Sequence, residues 1–199
     1  MQPIWGMLSD KLGRVGAMRL ALMAALVPGV EGGVILGFLT YLPPALEAGG
    51  YNAAASGLAV GLYGLATLGW TWVLKRVADR LGKGALISLG GALLALGYAT
   101  GAVSQNLLSI SLAACLVGGG FPFMHSTLQT WPTEVAPEAR ATMISFFAAA
   151  LFAGSGLATT AAAPLAGESA FGTLFALAAF VALPLGLLGG LARRRYAFQ

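Results

Sequence analysis

Charge is what this chain has least of. Asp, Glu, Lys and Arg make up 9% of its 199 residues, against 58% hydrophobic residues and a mean hydropathy of +0.82. A soluble domain is about a quarter charged, because its surface must be hydrated. So few charges exclude a water-facing surface of ordinary size, and the solvent this sequence suits is lipid. There is one cysteine, Cys115, and one histidine, His125. A lone Cys permits neither an internal disulfide nor a metal cluster, and inside an apolar run it reads as a small packing residue. A lone His leaves no zinc set, and no phosphate loop or nucleophile–base pair is visible, so no cofactor is expected and an intramembrane enzyme is disfavoured. The pI near 9.6 does not point to nucleic acid. That partner needs clustered bases on one face, whereas here the bases punctuate apolar runs.

What the chain has instead is six apolar segments: Leu20–Leu42, Gly57–Leu74, Ala85–Val103, Leu107–Trp131, Thr142–Pro164 and Phe171–Leu191. Each approaches the ~20 residues that cross a bilayer core as a helix. Barrel strands would alternate apolar and polar residues, which these do not. Met1–Arg19 has no apolar core of the signal-peptide kind. The expected fold class is an all-α membrane protein, a six-transmembrane-helix bundle. It divides into a cytoplasmic segment 1–19, a membrane domain 20–191 and a basic tail 192–199.

The breaks between segments give the orientation. All eleven Lys and Arg residues fall in alternate breaks. Lys11, Arg14 and Arg19 precede the first segment, and Lys75, Arg76, Arg80 and Lys83 follow the second. Arg140 follows the fourth, and Arg193, Arg194 and Arg195 follow the sixth. The breaks Pro43–Ser56, Ser104–Asn106 and Leu165–Ala170 hold none. Lys and Arg are retained on the cytoplasmic side, so both termini are expected in the cytoplasm.

Two of the basic breaks resemble one another. "GMLSDKLGR" resembles the signature loop of the major facilitator superfamily, with Gly6, Asp10, Lys11, Gly13 and Arg14 in place and Val15 where a last base is usual. "KRVADRLGKG" repeats it with Asp79, Arg80 and Gly82, but has Lys75 for the first Gly and Lys83 for Arg. In such a loop glycines allow a tight turn, and the Asp caps a helix or pairs with a base. "GGGFPFMHSTLQTWPTEVAPEARATMISFFAAALF", Gly118 to Phe152, resembles the tenth and eleventh helices of bacterial drug-efflux-like members. His125, Thr127, Leu128, Gln129 and Thr130 match one of their segments, and Pro137, Glu138, Arg140 and Thr142 another.

The resemblance implies the C-terminal six-helix half of a secondary, proton-coupled antiporter in a bacterial inner membrane. Its partners would be the bilayer, a small-molecule substrate, and a second copy or complementary six-helix half. The family places its two signature loops a whole half apart. Here Asp10 and Asp79 are separated by 69 residues (79 − 10), room for two spans, so the third to sixth family helices have no counterpart between them. A half, an internally deleted transporter and a non-transporting assembly subunit all fit that spacing.

Two ionisable side chains fall well inside the segments, Glu31 and His125. Charge there costs a few kcal/mol or more, so such residues face a cavity or pair. Gly29, Gly33 and Gly37 form a smooth face suited to close helix packing. Glu31 is two residues off that stripe, roughly 200° around the helix, which directs it to a cavity or to the absent half. His125 and Gln129, four residues apart, share a face. A carboxyl and an imidazole are the groups that exchange protons, so Glu31, His125 and Gln129 are the candidate transport-pathway or proton-coupling residues. The bland alternative puts Glu31 nearer the interface and His125 in a hydrogen bond to a neighbouring helix. Glu134, Glu138 and Arg140 read as caps or an ion pair. Pro28, Pro122 and Pro184 read as kinks, Tyr41, Tyr63, Trp70 and Trp72 as path or interface residues, and Trp131 as a boundary marker.

Overall fold

In hydrocarbon every backbone N–H needs a partner within the chain, so long apolar runs close into helices. The computed structural model describes residues 26–135 and 140–196, and it is helical throughout, with no strand among them. Six helices are long and apolar enough to cross a membrane: α1 Leu26–Ala48, α2 Ala53–Val77, α3 Lys83–Val103, α4 Leu107–Glu134, α5 Arg140–Gly167 and α6, whose apolar span is Phe171–Arg195. The signature-loop residues Gly6, Asp10, Lys11, Gly13 and Arg14 lie outside the described residues.

Most helices overrun the apolar runs that announce them, because polar residues cap and extend them. Asn52 accepts from the Ala55 N–H at 2.8 Å and starts α2; Asn106 does the same for Ser109 and starts α4. The largest difference is in α1, which does not stop at Leu42 but continues to Ala48. Pro43 and Pro44 fall in the first turn of its last segment, where a missing N–H costs nothing. The chain then reverses at Gly50, whose φ of 90° suits glycine.

Helix α3 is central to the packing and lies against both α6 and α4. Its contact with α6 is the most extensive, and small residues there let the backbones meet. A Cβ on Gly91 would come within 2.9 Å of the Gly186 nitrogen. Helix α2 lies along α4, and α1 along α5. The stripe Gly29, Gly33 and Gly37 is the α1 surface that meets α5, at Ala150, Gly154, Ser155 and Ala158. The core between the helices holds Val34, Ile35, Ile87, Leu94, Tyr98, Val117, Met124 and Phe175.

Burial is uneven. Helices α2 and α5 bury far less of their length than the other four. Helix α2 exposes Leu58, Leu65, Leu68 and Trp72, and α5 exposes Phe146, Phe152 and Leu157.

Candidate functional site

The site begins with two interruptions of regular helix. In α1 the residues Gly33–Gly37 form a π segment and Phe38–Tyr41 a 3₁₀ segment. In α4 the residues Phe121–His125 form a second π segment. Pro122 accounts for part of the second. Lacking an N–H, it cannot donate to the carbonyl of Gly118 four residues back; the Thr67 hydroxyl of α2, whose proton is shared between the Tyr63 carbonyl at 2.8 Å and this oxygen at 3.1 Å, reaches it instead. Such segments inside transmembrane helices commonly mark functional positions.

Glu31 stands two residues before the start of the first π segment and His125 ends the second. Nδ1 of His125 lies 3.2 Å from Oε1 of Glu31, so the two ionisable candidates meet in the interior. Glu31 is fully buried and His125 is 9% exposed. The imidazole stacks on Phe121 at 4.5 Å between centroids and meets the edge of Phe147, from α5, at 5.6 Å. Oε2 of Glu31 has no hydrogen-bond partner among the described residues. Its position opposite the glycine stripe left a cavity or an absent half as the direction of Glu31; fully buried against His125, it does not face outward to an absent half. The direction away from α5 leads into this bundle, toward α4.

A carboxyl and an imidazole at this distance can share a proton. With one proton between them, Glu31 and His125 are neutral together, whether as carboxylate and imidazolium or as acid and imidazole. Losing that proton leaves net charge among apolar side chains, which is expensive without water or a counter-ion. Gln129 lies one turn beyond His125 and is half-buried.

A second charged cluster closes the end of the bundle that carries the basic loops. Glu134, at the end of α4, pairs through Oε1 with Lys83 at the start of α3 and through Oε2 with Arg193 at the end of α6. The guanidinium of Arg193 also sits 5.2 Å above the Trp131 ring. Lys83, the departure from the second signature loop, is thus one arm of a three-helix clamp. The rest of that loop behaves differently. Asp79 and Arg80 are exposed turn residues, with no salt bridge among the described residues. Gly82 is the N-cap of α3, with φ −65° and no side-chain cap bond, so Asp79 does not cap α3 and Gly82 needs no glycine-only conformation.

Residues 18–159 match the family model of the Major Facilitator Superfamily. The chain belongs to the major facilitator superfamily. It is a multi-pass membrane protein of a family whose members are typically transporters rather than enzymes. Neither a curated protein nor a solved structure significantly matches this major facilitator chain. The matched region contains Glu31, His125, Gln129 and the second signature loop; the first, Gly6 to Arg14, precedes it.

Sequence reasoning alone missed Tyr98, Phe121, Phe147 and Arg193. For Tyr98 a signal was present: a phenol deep in an apolar helix needs an acceptor. For Phe121 and Phe147 there was none, since aromatics are common in any membrane helix. Arg193 read as topology, because three consecutive arginines after a span satisfy the positive-inside rule without further role.

Proposed function

We propose that this chain forms one six-helix wall of a proton-coupled secondary transporter, with Glu31 and His125 as the pair that carries the proton. The observation that supports it most is the buried carboxyl itself, one oxygen on an imidazole and the other with no partner. A purely structural pair would have satisfied both oxygens, because an unpaired buried acceptor costs about 1–3 kcal/mol. A group required to gain and lose a proton keeps an open position. Gln129 supplies a polar contact on the same helix for a small solute, and the sequence resemblance favours antiport of the drug-efflux kind at a bacterial inner membrane, with both termini cytoplasmic.

The second wall is a second copy or a complementary six-helix bundle. The under-buried lengths of α2 and α5 support its placement against those helices rather than against Glu31. Transport paths of this class run between two such surfaces that rock about a midplane site.

The test uses ethidium as probe in inverted vesicles energised with a proton gradient. The expected result is gradient-dependent ethidium movement that Glu31→Gln abolishes while the variant still inserts. Movement that survives either Glu31→Gln or an uncoupler overturns the proton-carrying role. Absence of movement in the native chain overturns the drug-efflux class for this probe.

A further inference from the structure

The geometry points to Tyr98 as the positioning residue that holds Glu31 on His125, acting through the irregular turn of α1. Backbone bookkeeping leads there. The Phe38 N–H donates to the Gly33 carbonyl, the long bond of a π turn, and the Leu42 N–H donates to the Leu39 carbonyl, the short bond of a 3₁₀ turn. Between those bonds lie three N–H donors, Leu39 to Tyr41, for five carbonyls, Val34 to Phe38. Two carbonyls lack a backbone donor in a region without water to replace it, a costly state in a membrane interior.

Side-chain hydroxyls enter at this stretch. The Tyr98 hydroxyl of α3 donates to the Val34 carbonyl. Thr40 donates to the Gly37 carbonyl at 2.7 Å, and Thr159 of α5 lies 3.4 Å from the same oxygen. Tyr98 is the one fixed most firmly. It is fully buried, stacked on Phe175 of α6 and met edge-on by Phe38, each at 6.2 Å. The tightest helix pair in the bundle, α3 with α6, therefore reaches across and grips the first π turn.

That grip sets the direction of Glu31. The 3₁₀ segment winds each residue by ~120° where an α-helix winds ~100°, so its four residues overwind the chain by roughly 80°. The wider π segment unwinds it in the opposite sense. With both present, the parts of α1 on either side stay nearly in register. If the π turn relaxes to α while the 3₁₀ turn remains, the Glu31 end rotates by roughly that 80° and leaves His125. Tyr98 holds the π turn, and so holds the pair.

The assignment deepens the proposed role of Glu31 and His125, but its test reads the geometry of the pair and not transport, so the two stand or fall separately. His125 is the sole histidine of the sequence. Histidine-selective ring ¹⁵N labelling of the full chain, carried on a tag without histidine and placed in lipid nanodiscs, therefore reports one imidazole. Glu31→Gln gives the ring signals of a His125 deprived of its carboxylate. Tyr98→Phe, which keeps the ring and its stacking, is expected to move the native signals to those of Glu31→Gln. Phe175→Leu, which disturbs the stacking but keeps the hydroxyl, is expected to leave them in place. Unchanged signals in Tyr98→Phe, or an equal shift in Phe175→Leu, overturn the assignment. Should Tyr98→Phe fail to insert, Tyr98→Leu, which also lacks the hydroxyl, is read in its place by the same criterion, with Phe175→Leu as the control for lost stacking.

Discussion

Gly154 and Gly156 sit two residues apart on α5 and should respond oppositely to the same methyl group. A Cβ on Gly154 would overlap the carbonyl of Gly29 and come within 2.6 Å of its Cα. Carbon atoms in good contact lie ~3.5–4.0 Å apart, so α1 must retreat from α5 by roughly 1 Å. Both obstacles are backbone, so no rotamer change absorbs the strain. The reciprocal contact is as close, since a Cβ on Gly32 would lie 2.6 Å from the Leu151 carbonyl carbon. Overpacking of this kind costs about 1–3 kcal/mol. At Gly156 nothing lies within 4 Å of the added carbon, and replacing a mid-helix glycine by alanine there should gain about 0.5–1 kcal/mol. The two alanine variants should therefore differ by about 1.5–4 kcal/mol.

Thermal unfolding of the two variants in identical nanodiscs measures the difference. Because the retreat of α1 from α5 also displaces Glu31 relative to His125, now 3.2 Å away, Gly154→Ala should disturb the Glu31–His125 pair, while Gly156→Ala leaves it intact. Equal midpoints for the two variants, or a more stable Gly154→Ala, would refute the claim that α1 and α5 meet backbone to backbone.

Two further outcomes follow from the charged groups. In the clamp, Lys83 is half exposed whereas Arg193 is 4% exposed, so the arms differ in weight. Lys83→Ala should cost about 0–1 kcal/mol, while Glu134→Gln, which deprives the buried guanidinium, should cost about 1–3 kcal/mol; chemical denaturation showing Lys83→Ala as the larger loss would reverse that ranking. For topology, in a Cys115→Ala background, an impermeant thiol reagent outside the cell should label cysteines placed at Asn52 and Ser169 and spare those at Arg80 and Arg194. Labelling of the second pair would invert the orientation.

Helix number and class were legible because lipid imposes one rule on every residue: long apolar runs must be helices, and bases must gather in alternate breaks. The glycine stripe of α1 was legible for a similar reason, since its period is that of the helix itself. What Glu31 faces was not. A 100° wheel placed it opposite the stripe, but a wheel names only a direction and not the helix that lies there. The π segments also break the regular winding on which the wheel depends. Pro122 hinted at one of them; Gly33–Gly37 gives no such hint, because glycines in a membrane helix read first as packing. The clamp was half legible. Glu134 read either as a cap or as one side of an ion pair; the pair it makes takes its partners from the beginning of α3 and the end of α6, and no local spacing connects them.

The Glu31–His125 pair also allows stability and activity to be separated. Charged or strongly polar pairs in apolar interiors seldom stabilise a fold, and replacing both members by apolar residues of similar size is often neutral or gains about 1–4 kcal/mol. Removing one member is different. His125→Leu leaves both oxygens of a fully buried carboxyl without a partner, at about 1–3 kcal/mol each where protonation does not relieve it. Glu31→Leu leaves an imidazole that keeps its stacking on Phe121 and loses less. The expected order of thermal midpoints is therefore His125→Leu lowest, then Glu31→Leu, with the double Leu variant at or above the native chain. All three should lack proton coupling. Midpoints measured in the same nanodiscs decide the matter. If the double variant is the least stable of the series, the pair is a structural tie and the open carboxyl oxygen has no functional meaning. If it is the most stable, the native chain retains a costly group in its core, and proton handling is the reason the physics supports for keeping it.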